Sequence, residues 1–120
     1  MNLNEYQQKA MATCLPESKN ELYMLMGLAE ECGELQGKFS KAIRHGAIKF
    51  DGNQLVSNMS ADEYVDWLEA VLKEMGDCLW MLAGLASVLE IRLDTIAQAN
   101  IDKLASRKKR NVIDGAGDNR

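Results

Sequence analysis

Basic residues and long apolar runs are scarce in this sequence of 120 residues. Its 18 acidic residues outnumber the 14 lysines and arginines, and the resulting net charge of −4 argues against a protein that coats nucleic-acid polymers through phosphate contacts. The longest apolar run, CLWMLAGLA, is too short to cross a bilayer of about 30 Å. The amino terminus also lacks the basic start and apolar block of a signal peptide. We therefore expect a soluble, cytoplasmic protein with no membrane partner.

Cysteine and histidine are also rare. Cys14, Cys32 and Cys78 form no CxxC pair and are odd in number, so neither a disulfide framework nor a zinc ribbon is indicated. The one histidine, His45, excludes a ferritin-like di-iron site, because such a site needs Glu-x-x-His on two helices.

The sequence has a single proline, with 47% hydrophobic and 27% charged residues, a composition typical of one compact and largely helical domain. We predict an all-α, four- to five-helix bundle over residues 1–120, with a carboxyl-terminal tail at 111–120. Apolar spacings of three and four residues, caps and the proline position predict helices at about 4–14, 20–45, 61–89 and 94–110.

Ser60 followed by Glu63 is a capping-box pattern that opens the third helix. Gly46 is predicted to end the second helix in a left-handed conformation. Between these two helices, residues 47–58 lose the helical periodicity and predict a connector with a turn at Asp51–Gly52 and two short extended pieces. After Asp77 the third helix is apolar on every side, which predicts partner subunits and hence an oligomer.

Acidic residues recur at helical spacing inside two otherwise apolar helices. Glu31 and Glu34 lie three residues apart and share one face of the second helix, as do Glu74 and Asp77 in the third. Antiparallel packing of the two helices would gather these four carboxylates around one point. Four anions in a partly buried site require neutralisation by cations, and an all-oxygen ligand set suits Mg²⁺, with Mn²⁺ as a possible substitute.

Acidic pairs at this spacing also have a simpler interpretation. Glu is a strong helix former, and ExxE patterns decorate many solvated helix faces. The second pair, on an unusually apolar helix, is the observation that favours a site over a solvated face.

Basic and amide side chains on the fourth helix supply the opposite charge. Asn100, Lys103 and Arg107 fall on one face at spacings of three and four, and such a face could grip phosphate. The run RKKR is otherwise typical of a solvated basic helix end. Lys38, one turn after Glu34, is predicted either to contact phosphate or to pair with Glu34 along the helix.

Three segments, taken together and in order, resemble a known family. GLAEECGELQGKF, KEMGDCLWMLAGLA and NIDKLASRKKR are similar to the corresponding segments of the MazG-like all-α nucleoside triphosphate pyrophosphohydrolases, whose signature is EExxE followed by ExxD. The resemblance covers most of the chain after Asn20. The segment between Glu34 and Glu74 is longer than is usual between the two motifs, and we expect its extra length to form a substrate lid or an intersubunit contact.

The resemblance implies a helical homodimer or homotetramer that hydrolyses a nucleoside triphosphate to the monophosphate and pyrophosphate with Mg²⁺. It implies catalytic roles for the acids of the first motif, with Glu30 acting from outside the ligand set or positioning water. It further implies a set of metal ligands, namely Glu31, Glu34, Glu74 and Asp77, and a set of phosphate contacts, namely Asn100 and Lys103 with Arg107 as a further candidate. Lys38 joins this second set on its position alone.

Two alternatives stay open at this point. The same site could serve a base-specific relative, such as a dUTP or dCTP pyrophosphatase or a phosphoribosyl-ATP pyrophosphatase. From a different class, the chain could be a non-catalytic helical oligomerisation module whose acids bind a structural cation.

Overall fold

Residues 1–117, which the computed structural model describes, form four α-helices, one short 3-10 turn and one β-hairpin. In chain order the elements are α1 (Leu3–Met11), the 3-10 turn (Pro16–Ser18), α2 (Glu21–Arg44), β1 (Ile48–Asp51), β2 (Gln54–Ser57), α3 (Ala61–Val88) and α4 (Leu93–Lys109). The predicted all-α architecture is confirmed, with the hairpin as its one departure. Residues 118–120 of the predicted tail lie outside the described residues. No helix within 1–117 is both long and apolar enough to span a membrane.

The starts of the two long helices are fixed by side-chain caps. The Asn20 side chain accepts a hydrogen bond from the Tyr23 amide at 2.8 Å at the start of α2. At the start of α3, the Ser60 hydroxyl accepts from the Glu63 amide, and the Glu63 carboxylate accepts from the Ser60 amide at 2.8 Å. The predicted capping box is therefore confirmed. Both helices begin where a side chain accepts a hydrogen bond from a backbone amide of the first turn.

The end of α2 also follows its prediction. Gly46 has a φ of +69°, and its amide donates to the Ile43 carbonyl while the Ala47 amide donates to the Ala42 carbonyl, each at 2.9 Å. This is the Schellman arrangement that a glycine after a helix permits. The chain thereby turns out of α2 directly into the hairpin.

The predicted connector is an antiparallel hairpin in which Ile48 pairs with Ser57 and Asp51 with Gln54. Gly52 supplies the turn with a φ of +58°. Ile48 is almost fully buried, and the Asn58 amide donates to the Ala47 carbonyl at 2.8 Å. The hairpin is thus closed at its base, directly after the turn that ends α2.

The helices α2 and α3 form the main contact of the fold, and two glycines set how closely they approach. A methyl group at Gly27 would lie 2.5 Å from Met81 Cε. At Gly84 the corresponding obstacle is the side chain of Met24, which is fully buried. Each helix therefore inserts one methionine over a glycine of the other, and we call these four residues the glycine–methionine layer.

The helix α1 packs across α3 and also holds the start of α4. Trp80 donates its indole N–H to the Ala10 carbonyl at 3.2 Å, beside a small cluster that includes Leu93. Because the residue before α4 provides no side-chain cap, the first amides of that helix use acceptors from α1. The Leu93 amide donates to Gln7 at 2.9 Å and the Asp94 amide to Asn4 at 3.2 Å.

Candidate metal centre

Three carboxylates from α2 and α3 meet one side of the glycine–methionine layer. Glu31, Glu74 and Asp77 each offer an oxygen within 4.8 Å of the others. Glu74 and Asp77 lie three residues apart on α3, and Glu31 faces them from α2, as the helical spacing predicts. Glu74 is buried, Glu31 is half-buried and Asp77 is exposed, so the acidic cluster opens to solvent on the Asp77 side.

Negative charge accumulates in this cluster. The pKa of Glu31 is raised above its ordinary value, first by partial desolvation and then by the negative charges of Asp77, Glu34, Glu74 and Glu30, in that order. Each of these causes disfavours the ionised carboxylate. A cation placed among the acids would remove the repulsion.

One cation is already present, supplied by the chain itself. Lys38 Nζ lies 2.8 Å from the nearer carboxylate oxygen of Glu74. The hydrogen bond to Glu74 is the main reason that the pKa of Lys38 is raised. The ion pair of Lys38 therefore crosses from α2 to α3, and Glu34, the predicted partner along the helix, contributes only a longer-range attraction. A phosphate contact by Lys38 stays a prediction.

The other two acids of the first motif are exposed. Glu34 is close enough to raise the pKa of Glu31 but lies outside the group of three acids. Glu30 lines a shallow cavity together with Glu31, Tyr23, Gly27 and Met81. The structure thus brings together three of the four predicted metal ligands and places Glu30 at the wall of the adjoining cavity.

The predicted phosphate contacts on α4 lie in two different surroundings. Asn100 and Lys103 are exposed and line a groove with Leu79 and Leu3, and none of the three clustered acids lines that groove. Arg107 is buried, and its guanidinium donates to the Gly117 carbonyl at 3.3 Å. Phosphate binding by these three residues stays a prediction.

Two features of the site were not anticipated from the sequence. Trp67 donates its indole N–H to the Lys38 carbonyl at 3.2 Å and packs edge-on against Phe39, with ring centroids 5.0 Å apart, so an aromatic contact holds the backbone that carries Lys38. The sulfur atoms of Cys32 and Cys78 lie 3.9 Å apart across the two helices. The sequence offered one sign of this proximity, because each of the two cysteines directly follows an acid of the cluster.

Comparison with known proteins identifies the family. The family model of the MazG nucleotide pyrophosphohydrolase domain matches residues 19–112. The chain is also 40% identical over 98 residues to the Gene 37 protein of Mycobacterium phage L5, covering 82% of this chain and 75% of that protein, whose name states no activity. No solved structure gives a significant match. Because the family match spans both acidic motifs and α4, the chain belongs to the MazG nucleotide pyrophosphohydrolase domain family.

Proposed function

We propose that this protein hydrolyses nucleoside triphosphates to nucleoside monophosphate and pyrophosphate with the aid of Mg²⁺. The observation that carries the proposal is the meeting of Glu31, Glu74 and Asp77 within 4.8 Å in a chain of the MazG family. Glu34 is proposed as a fourth ligand, since it lies one turn from Glu31 on the same side of α2.

The donor set fits a hard divalent cation. Ligand oxygens on opposite sides of Mg²⁺ are about 4.2 Å apart, given bond lengths of about 2.1 Å, and the three carboxylates already lie within 4.8 Å of one another. Carboxylate oxygens without nitrogen or sulfur favour Mg²⁺, and Mn²⁺ accepts the same ligands. Little rearrangement of the acids is therefore needed to surround an ion.

When bound, the metal would polarise the phosphorus centre, lower the pKa of a coordinated water and neutralise the departing pyrophosphate. The acids would hold it. Lys38, which pairs with Glu74, would be free to contact a phosphate oxygen if a metal neutralised that carboxylate. Glu30, at the wall of the adjoining cavity, would accept a hydrogen bond from water or substrate.

We further propose that the active form is a homodimer or homotetramer. Leu22 and Met26 on α2 are 71% and 65% exposed, and Leu72 on α3 is 69% exposed. Leu22 and Met26 lie one turn apart on the same face, and an exposed apolar patch is typical of a contact surface. The radius of gyration is 17.7 Å, whereas a compact domain of this length has about 14 Å. Association of copies would cover these faces. It would also allow Asn100 and Lys103 of one subunit to approach the acids of another.

The direct test is pyrophosphate release from a panel of ribo- and deoxyribonucleoside triphosphates with Mg²⁺, repeated with a chelator. We expect turnover that disappears on chelation and is lost in Glu34→Gln. Asp66→Asn, an exposed acid on α3 away from the cluster, is the control and should keep full turnover. Release that survives chelation or Glu34→Gln would contradict the proposal.

The same panel addresses the two alternatives. A strong preference for dUTP or dCTP, or activity on phosphoribosyl-ATP alone, would identify a base-specific relative that uses the same acids. Absence of turnover on every substrate, in protein that still binds the metal, would identify a non-catalytic metal-binding module instead.

A further inference from the structure

Two of the three thiols in the chain face each other across the helix pair that carries the acids. Cys32 on α2 and Cys78 on α3 have their sulfur atoms 3.9 Å apart. Cys32 is exposed and Cys78 is half-buried, so a small oxidant reaches the pair from solvent. Cys14 is buried near the end of α1, where its sulfur contacts the Leu15 carbonyl. The chain therefore contains one thiol pair and one separate thiol.

The thiol pair is adjacent in sequence to two acids of the cluster, because Cys32 follows Glu31 and Cys78 follows Asp77. Side chains at neighbouring helical positions point about 100° apart, since a turn has about 3.6 residues. Each sulfur atom therefore lies next to a carboxylate of the cluster but points in a different direction. The acids grouped as possible metal ligands among residues 1–117 include neither cysteine. The sulfur atoms thus lie outside the acidic cluster and face each other.

We propose that Cys32 and Cys78 form a reversible disulfide between α2 and α3 that lowers the affinity of the acidic cluster for its divalent cation. The second half of this proposal rests on the proposed function of the cluster. A disulfide requires an S–S distance of about 2.05 Å, so the sulfurs must approach each other by a little under 2 Å.

The approach of the two sulfur atoms displaces the acids of the cluster. On one side of the thiol pair, the glycine–methionine layer leaves no space for the helices to move closer. On the other side, Trp67 of α3 donates to the Lys38 carbonyl of α2 and packs against Phe39, which holds the two helices at their present separation. The displacement therefore falls on the segments that carry Glu31 and Asp77. Mg²⁺ tolerates little departure from octahedral geometry, and a shift of the ligands weakens its binding.

The chemistry balances with a low-molecular-weight disulfide, such as oxidised glutathione, as the oxidant. The Cys32 sulfur attacks one glutathione sulfur, which forms a mixed disulfide and releases the first glutathione thiol. The Cys78 sulfur then attacks Cys32, forms the Sγ–Sγ bond and releases the second. Two protein thiols are oxidised, one glutathione disulfide is reduced to two thiols, and the two protons pass to the released glutathiones. Excess thiol reverses both steps.

The cross-link is tested first, without reference to activity. Full-length protein is incubated with oxidised glutathione, alkylated and mapped by peptide mass spectrometry. We expect free thiols to fall from three to one, with a peptide pair joined through Cys32 and Cys78. Cys14→Ser is the matched control and should still form the cross-link, whereas Cys32→Ser and Cys78→Ser should not. Stable mixed disulfides alone, or a cross-link between two copies of the chain, would overturn the proposal.

The consequence is tested by titrating reduced and oxidised protein with Mn²⁺ and following the free ion by electron paramagnetic resonance. We expect affinity to fall about 10- to 100-fold on oxidation, the loss typical of disturbing the groups around metal ligands, and to return with dithiothreitol. Cys32→Ser should keep its affinity through the same treatment. Equal affinity in both forms would overturn the redox proposal alone, whereas a reduced protein that binds no Mn²⁺ would overturn the metal site as well.

Discussion

Two regions of the α2–α3 contact differ in what limits the approach of the helices. At the glycine–methionine layer, Gly27 and Gly84 receive Met81 and Met24, and packing sets the separation. At the acidic cluster, Glu31 on α2 faces Glu74 and Asp77 on α3 with oxygens within 4.8 Å of one another, and electrostatic repulsion opposes closure. One helix pair thus combines a tightly packed region, which provides stability, with a charged region whose carboxylates could surround an ion. The following changes test this division, starting with the largest expected effect.

Asp77→Asn should remove activity while leaving the fold intact. Loss of one metal ligand removes several kcal/mol of transition-state stabilisation, or about 100-fold or more in turnover. In metal-free buffer the free energy of unfolding should stay the same or increase, because one negative charge leaves the cluster. Pyrophosphate release and urea unfolding measure the two effects. A variant that loses stability and activity together would mean that Asp77 supports the packing of the helices.

Gly84→Ala should have its effect on stability. The added methyl group overlaps the buried Met24, and overpacking of a core typically costs about 1–3 kcal/mol. Gly37→Ala, the same substitution in open space on α2, should instead stabilise by about 0.5–1 kcal/mol through helix propensity. Urea unfolding of both variants measures the difference. Equal stability of the two would show that Met24 has room to move.

Lys38→Met should destabilise the metal-free protein, because buried Glu74 loses the ammonium 2.8 Å away. Addition of Mg²⁺ should restore most of the loss, since the ion neutralises the same carboxylate. Thermal unfolding with and without Mg²⁺ measures this, and Lys73→Met, an exposed lysine on α3, is the control. The idea fails if Mg²⁺ stabilises wild type and Lys38→Met equally.

The acidic cluster should also respond to pH. The pKa of Glu31 is raised above its ordinary value of 4.5 on folding, so ionisation of Glu31 opposes folding above its folded pKa, and this opposition is absent below 4.5. In chelator, stability should therefore rise as pH falls towards 4.5, and Glu31→Gln should reduce this slope. The pKa values of Glu63 and Asp94 are lowered on folding, so their ionised forms stabilise the protein. This stabilisation is lost at lower pH, when the two carboxylates are protonated. Urea midpoints measured across this range test the effect.

Local signals in the sequence predicted the elements well, because each depends on neighbouring residues. Ser60 with Glu63 located the start of α3, and Gly46 located the end of α2. The buried faces were less accessible to prediction. Leu22 and Leu25 belong to the apolar stripe that predicts α2, yet both are exposed, while Met24 is buried. Periodicity identifies a helix but does not distinguish a face that packs within the chain from one that meets another subunit.

The same distinction holds at the candidate site. Spacing alone placed Glu74 beside Asp77, and antiparallel packing then predicted Glu31 opposite them. The pairing of Lys38 with Glu74 and the approach of Cys32 to Cys78 depend on the rotation and register of two helices, which no local pattern encodes. These two contacts are therefore visible only in the three-dimensional structure.

The capping of α4 by α1 makes the last helix depend on the first residues of the chain. Gln7 and Asn4 accept the first amides of α4, although they are synthesised long before that helix leaves the ribosome. An α1 already packed against α3 would offer α4 a prepared docking site, and contacts between distant segments otherwise slow folding. Deletion of α1 would remove these acceptors, so a change at the amino terminus would alter the helix that carries Asn100 and Lys103.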